Sequence, residues 1–140
     1  MIDRYAASKS PFTAYLYWTF IYLFVMVWLS GMTAGLAGGA CKNDRYEGVR
    51  KLRACNISLT AGAWLAIFPG ERARGASLHL ERGLALLQAG RPMDARLAFE
   101  RAYRHAQAKQ GPWLHRLHNR MNRVVDPHAQ ALWISVANRP

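Results

Sequence analysis

No charged residue lies between Lys9 and Lys42. A helix needs only about 20 apolar residues to cross the hydrocarbon core of a bilayer, so residues 10 to 41, SPFTAYLYWTFIYLFVMVWLSGMTAGLAGGAC, are long enough with several to spare. The first half is crowded with aromatics, among them Phe12, Tyr15, Trp18, Phe20, Phe24 and Trp28, whose amphipathic rings favour a membrane interface. The second half is small residues. The chain therefore divides into a polar segment at 1–10, a membrane span or signal-anchor at 11–40 and a domain at 41–140.

Two readings compete for the small-residue half. Gly31, Gly35 and Gly39 fall four apart, on one helix face, and would let a second helix backbone approach closely where lipid tails supply no hydrophobic drive. That makes a permanent anchor with a packing seam. Alternatively, Gly38, Gly39 and Ala40 are the small-residue exit of a signal peptide, and cutting after Ala40 would release a soluble protein beginning at Cys41. The anchor is favoured, because signal peptides have a shorter apolar core, of about 7 to 15 residues. A lipoprotein signal fits less well, since Gly38 stands three before Cys41 where such signals carry a branched aliphatic residue.

The remaining 100 residues carry 17 Lys+Arg against 7 Asp+Glu, a net +10. A domain of that size leaves no room for a multi-domain enzyme, and two cysteines are too few for a disulfide-framework mini-protein. Lys42, Arg45, Arg50, Lys51 and Arg53 follow the span and outnumber Arg4 and Lys9 before it, which by the positive-inside bias places the domain in the cytoplasm. A single span this close to the N-terminus commonly acts as a signal-anchor and leaves the following domain outside. The reading adopted is a single-pass protein of a bacterial inner membrane with a periplasmic domain, the cytoplasmic side being the alternative.

Helical periods fill that domain. Gly48, Leu52, Cys55 and Leu59 make one stripe over 44–59, and an apolar segment runs from 59 to 68 until Pro69-Gly70 stops it. Leu80, Gly83, Leu84 and Leu87 repeat the stripe over 76–89, with Gly90 as the C-terminal stop and Pro92 opening the next helix, which buries Ala95, Phe99, Ala102 and Ala106. After Gly111-Pro112, Leu114, Leu117, Met121 and Val124 trace another face, and Asp126-Pro127 opens a last helix carrying Leu132, Trp133 and Val136. The fold class is all-α: one N-terminal transmembrane helix followed by a small domain of helical hairpins.

Residues 76 to 109, ASLHLERGLALLQAGRPMDARLAFERAYRHAQAK, resemble a tetratricopeptide repeat, with Gly83 and Leu86 at the first-helix positions and Ala95, Phe99 and Ala102 at those of the second. Small side chains let two antiparallel helices approach, so Gly83 is expected to face Ala95, with Phe99 filling the gap toward the neighbouring pair. The sequence departs from the family at His79, Arg82 and Gln107, where the pattern has Trp, Leu and Pro. Gly48, Leu52 and Cys55 reproduce the spacing of Ala95, Phe99 and Ala102, as the second helix of a preceding repeat would, with the 59–68 helix inserted between. The resemblance implies a binding role without chemistry of its own, and bacterial secreted or membrane-bound repeat proteins with a Cys pair ahead of a similar helix point to the periplasm.

Cys41 and Cys55 are candidates for a disulfide in an oxidising compartment. Geometry argues against a bridge within the chain, because on a helix over 44–59 Cys55 lies roughly 15 Å from the start, whereas bonded Cα atoms lie within about 7 Å. Cys55 is then expected in the hairpin core and Cys41 at the membrane surface, free or paired between chains. His115 and His118 share a helix face, but no carboxylate accompanies them and Arg116, Arg120 and Arg123 would repel a cation. No serine lies in a nucleophile motif and no phosphate-binding loop is present, so neither catalysis nor a cofactor is expected.

The expectation is a membrane-anchored interaction module, an accessory or assembly subunit docking on a larger membrane protein complex. The helix Gly31, Gly35, Gly39 would serve it inside the bilayer. A basic face including Arg72, Arg74, Arg116, Arg120 and Arg123 would serve it outside, with anionic lipid headgroups as further partners but no nucleic acid and no small-molecule substrate. A secreted periplasmic repeat protein is the alternative.

Overall fold

The computed structural model describes residues 11–63, 69–107 and 112–138, with the side chains of 11 and 69–73 outside that description. Among them are six helices and no strand: α1 Pro11–Lys42, α2 Gly48–Ala61, α3 Pro69–Gln88, α4 Pro92–Gln107, α5 Pro112–Asn122 and α6 Pro127–Ala137. Five of the six begin on proline, whose fixed φ suits the first helical turn and whose missing N–H is not needed there. Pro69 was expected to stop a helix; it starts one instead, and α3 begins seven residues before the expected 76. The apolar 59–68 segment does not form a helix of its own at its described end, because Leu59 to Ala61 complete α2; residues 64–68 lie outside the described residues.

Turn chemistry sets the hairpins. After α1 the Asn43 side chain accepts a hydrogen bond from the Arg45 N–H, and the chain reverses before Gly48, which enters α2 at φ +53°. Gly90, at φ +72°, closes α3 with two bonds, from its own N–H to the Leu87 carbonyl and from the Arg91 N–H to that of Leu86. This is the left-handed glycine cap that satisfies the last carbonyls of a helix. Asp126 caps α6 by accepting from the His128 N–H at 2.9 Å.

Helices α3 and α4 pack as an antiparallel pair, and α5 and α6 close over them around Leu80, Phe99, Leu117, Met121 and Trp133. Trp133 meets the rings of Phe99 and Tyr103 edge to face and donates its indole N–H to His118 Nδ1 at 3.1 Å. The residue nearest Gly83 is Phe99, not the expected Ala95. A β-carbon there would lie 2.4 Å from Phe99 Cε1, so the Phe99 ring itself rests on the Gly83 backbone, while Ala95 packs with Leu86 and Ala98 in a separate small cluster. The Phe99 ring is what a side chain at Gly83 would meet first.

α2 runs antiparallel to α1 and to α3, joining the long helix to the rest of the domain. Its buried residues are Lys51, Cys55 and Ser58, a face turned by about one position from the expected Gly48, Leu52, Cys55 and Leu59 stripe. α1 is accordingly two structures in one helix. Between 34 and 42 one side, Ala34, Gly38 and Cys41, is buried against α2 and α3 while Leu36 on the other stays exposed; from Phe12 to Met32 the large apolar side chains other than Ile21 are exposed. The exposed part, 12 to 33, spans about 33 Å at 1.5 Å per residue, close to the roughly 30 Å of a hydrocarbon core. α1 is the helix long and apolar enough to cross a membrane.

Candidate functional site

The base of the domain, where α1 leaves it, is built around one backbone carbonyl. Ala34, 2% exposed, presents its oxygen to the Ser58 hydroxyl and to Arg74 Nη2, each donating at 2.9 Å. These bonds need close approach, and Gly38 supplies it: a β-carbon there would lie 2.8 Å from Arg74 Nη2 and 3.0 Å from Ser58 Oγ. Cys41 completes the stripe, bonded to Cys55 with Cα atoms 4.8 Å apart. Ala34, Gly38 and Cys41, spaced four and three, thus form the side of α1 that binds its own domain.

The disulfide overturns the expectation of unbridged cysteines. That expectation measured the rise along a helix over 44–59 and took Cys41 to lie at its start, but residues 43–47 carry the chain beyond the end of α1 and α2, which begins at Gly48, then returns alongside it. Cys55, seven residues into α2, comes back level with Cys41. Gly31, Gly35 and Gly39 lie on another side, and a β-carbon on any of them meets nothing within 4 Å. Among the described residues nothing from outside α1 comes within 4 Å of those three positions.

Above the base, four ionic side chains distant in sequence converge. Lys51 Nζ lies 2.8 Å from Glu81 and 3.4 Å from Asp44, and Arg120 reaches Glu81 at 2.7 Å and Asp44 at 2.6 Å. The Arg120 bond holds the Asp44 carboxyl below its ordinary value, against a smaller opposing effect of burial. The Glu81 hydrogen bond in turn raises the Arg120 value. Helices α2, α3 and α5 and the α1–α2 turn are tied together here.

Arg74 and Arg120, assigned from sequence to an outward basic face, are therefore engaged within the domain. Arg116 lies with its guanidinium 4.6 Å from the centre of the Trp113 ring, and Arg123 is exposed at the end of α5. The side chain of Arg72 lies outside the described residues. The four whose side chains are described do not share one role: Arg74 and Arg120 are engaged inside the domain, Arg116 lies over Trp113 and Arg123 is exposed. Sequence reasoning missed Glu81 and Lys51, and the signal it could have used is their position: each shares a helix face with residues that must be buried, Lys51 with Cys55 and Ser58, and Glu81 with Leu78 and Ala85.

A second cluster sits between α3 and α4. The imidazoles of His79 and His105 stack with centroids 5.3 Å apart and planes 12° from parallel. His79 Nδ1 is buried without a hydrogen-bond partner. Burial, together with the charges of His105, Arg101 and Arg82, pushes the His79 value down to about 4, so the ring is neutral near neutral pH. Arg82, bonded through Nε to Asn56, is also pushed down, by burial first and then by Arg101. Asp94 opposes this effect on Arg82 by favouring its charged form. A cavity of about 280 Å³ opens beside the pair, with Ala34, Ser58, Arg74, Leu78, His79 and His105 in its wall.

No group of three or more His, Cys, Asp or Glu side chains capable of holding a metal ion occurs among the described residues. Comparison with known proteins supplies no relative on which to rest a family: no family model, no curated protein and no solved structure matches the chain.

Proposed function

We propose that this protein is a single-span, membrane-anchored helical interaction module, an accessory or assembly subunit that docks on a larger membrane protein complex. The observation that carries the reading is the continuity of α1: its last third is the wall of the folded domain, and its first two thirds is a bare apolar rod. A domain locked to its anchor in this way positions whatever it binds at a fixed height and rotation relative to the bilayer. The empty side at Gly31, Gly35 and Gly39 suits the close approach of a second transmembrane helix. The exposed arginines Arg101, Arg104 and Arg123 offer polar contacts outside the membrane, in the manner of a short tetratricopeptide-like hairpin.

The packing of 34–42 also favours an uncleaved anchor. A cut after Ala40 would remove Ala34 and Gly38 from Ser58 and Arg74, taking the Ala34 carbonyl away from the buried Ser58 hydroxyl. The Cys41–Cys55 bridge favours the oxidising side of a bacterial inner membrane, the periplasm, over the cytoplasm to which the positive-inside count points. Substituting Gly35→Leu in a tagged full-length chain and purifying from detergent-solubilised native membranes tests the docking reading. Loss of a stoichiometric membrane partner is expected; an unchanged set of co-purifying proteins rejects the helix contact. The intact mass of the membrane-extracted chain, with or without residues 1–40, decides between anchor and secreted form.

A further inference from the structure

The outward side of α4 is divided along its length. Met93, Leu97, Arg101 and Arg104 recur every three or four residues and so share one side of the helix. Met93 is 74% and Leu97 52% exposed, and the two arginines are exposed as well, against a shallow hollow of about 410 Å³. Arg82 of α3, which donates through Nε to Asn56 at 2.8 Å, lies close enough to Arg101 to feel its charge. The strip is therefore apolar at its start and cationic toward its end. The carboxylates around it are already engaged. Asp94, which favours the charged form of Arg82, is itself bonded to Arg91 at 2.6 Å, and Glu100 lies 3.5 Å from Arg96. Glu81 turns to the opposite side of α3, toward Lys51 and Arg120, and α2 carries no acidic residue. Glu71, whose side chain lies outside the described residues, is about 16 Å along α3 from Arg82. Among the described residues no ion pair joins Arg82, Arg101 or Arg104 to a carboxylate.

Location decides the occupant. Near its start α3 is bonded through Arg74 to Ala34, where the exposed rod of α1 ends, and α4 runs back toward that level. On the reading of α1 as a membrane span, Arg104 is then nearer the bilayer and Met93 about 16 Å farther out. An anionic lipid would bring its phosphate to the arginines, but its acyl chains run into the bilayer, away from Leu97 and Met93, and leave the apolar end bare. A polypeptide carrying both acidic and bulky apolar side chains covers the whole strip. We propose that this side of α4, with Arg82 beside it, docks an acidic segment of a partner protein next to the membrane, its carboxylates on Arg82, Arg101 and Arg104 and its apolar side chains on Leu97 and Met93. The inference rests on the reading of the chain as a membrane-anchored docking subunit and names the chemistry of what it docks. A guanidinium takes a carboxylate in a bidentate fork, and a carboxylate between Arg82 and Arg101 relieves their mutual repulsion. The order is fixed too: the acidic residues of the segment lie nearer the bilayer than its apolar ones.

The experiment places a photo-crosslinking amino acid at position 97 or 101 of the tagged full-length chain, produced at its natural level in its own host. Native membranes are irradiated before solubilisation, and the attached peptide is sequenced by mass spectrometry. Both positions are expected to attach the same segment of one protein, at Asp or Glu residues from position 101 and at Leu, Ile, Phe or Trp from position 97. With the crosslinker at 97, Arg101→Glu should lower the yield by about tenfold or more, as reversal of a charge-assisted contact implies, and Arg123→Glu on α5 should not. Arg101 is exposed, so its reversal should leave the thermal midpoint of the domain unchanged, which separates lost docking from lost folding. Crosslinks confined to lipid, crosslinks to a segment without acidic residues, or a yield indifferent to Arg101→Glu overturn the proposal. A membrane partner that co-purifies in stoichiometric amount but is attached from neither position overturns this surface and leaves the docking reading standing; the absence of any membrane partner overturns both.

Discussion

Lys51 Nζ sits 2.8 Å from a carboxylate oxygen of Glu81, and both side chains are 6% exposed. Two charges removed from water in this way hold together only while both are present. Asp44 and Arg120 extend the pair to the domain surface, which spreads the desolvation cost over four groups and gives each oxygen of Glu81 a cationic donor.

Glu81→Gln keeps the shape and removes the charge, leaving Lys51 buried beside an amide. A loss of about 3–5 kcal/mol in unfolding free energy is expected, as for other broken buried pairs. The double variant Lys51→Met with Glu81→Met should be markedly more stable than Glu81→Gln alone, since no uncompensated charge remains. Urea denaturation of the parent and both variants in one detergent checks this, and a double variant no more stable than Glu81→Gln would show that Lys51 does not depend on the Glu81 charge.

Glycine substitutions separate the two sides of α1 and the α3–α4 contact. Gly83→Ala places a carbon against the Phe99 ring and should cost about 1–3 kcal/mol, because the ring is fixed on its other side by Trp133. Gly31→Ala and Gly39→Ala meet nothing and should leave the thermal midpoint of the domain unchanged. A midpoint that responds equally to all three would contradict the packing described here.

The Cys41–Cys55 bridge closes a segment with a sequence separation of 14 and ties the end of the anchor to α2. Loop-closure entropy for a loop near that length corresponds to about 3 kcal/mol. Replacing both cysteines by serine should therefore lower the midpoint by several degrees without abolishing the fold, since the Ala34 and Lys51 contacts remain. Maleimide labelling of the native full-length chain, unfolded without reductant, should leave both sulfurs unmodified; labelling of either under those conditions means the bridge is absent.

What the sequence disclosed and what it hid follow from the range of the interactions involved. The all-α class, most helix starts and the Gly90 stop were legible because proline and glycine act through their own backbone within one turn. The face of α2 was read one position off because its buried members, Lys51, Cys55 and Ser58, are not an apolar stripe; they are buried by partners 14 to 30 residues away. The two small-residue stripes of α1, at 31, 35, 39 and at 34, 38, 41, have nearly the same spacing. Periodicity cannot tell which one meets the chain's own domain. That distinction depends on α2 folding back, which also decides the disulfide. The network of Asp44, Lys51, Glu81 and Arg120 leaves no local trace, because its members come from four places in the chain.

Acid should destabilise the domain through His79 before it reaches the carboxylates. The folded-state value of His79 is pushed down to about 4 from an ordinary 6.5, chiefly by burial and then by His105, Arg101 and Arg82, so between those values the unfolded chain takes up a proton that the native ring refuses. Stability present above pH 6.5 is therefore lost progressively as the pH falls toward 4, and levels off below it once both states are protonated. The slope can reach at most about 1.4 kcal/mol per pH unit for a fully desolvated group, and is smaller for a ring that is only partly buried. His79→Gln removes the titrating group while keeping a hydrogen-bonding side chain. Its unfolding free energy, measured at half-unit steps from pH 7.5 to 4.5, should lie on a flatter curve than that of the parent, with the two converging in slope above pH 6.5. Parallel curves across the whole range would mean that His79 titrates alike in the folded and unfolded chain.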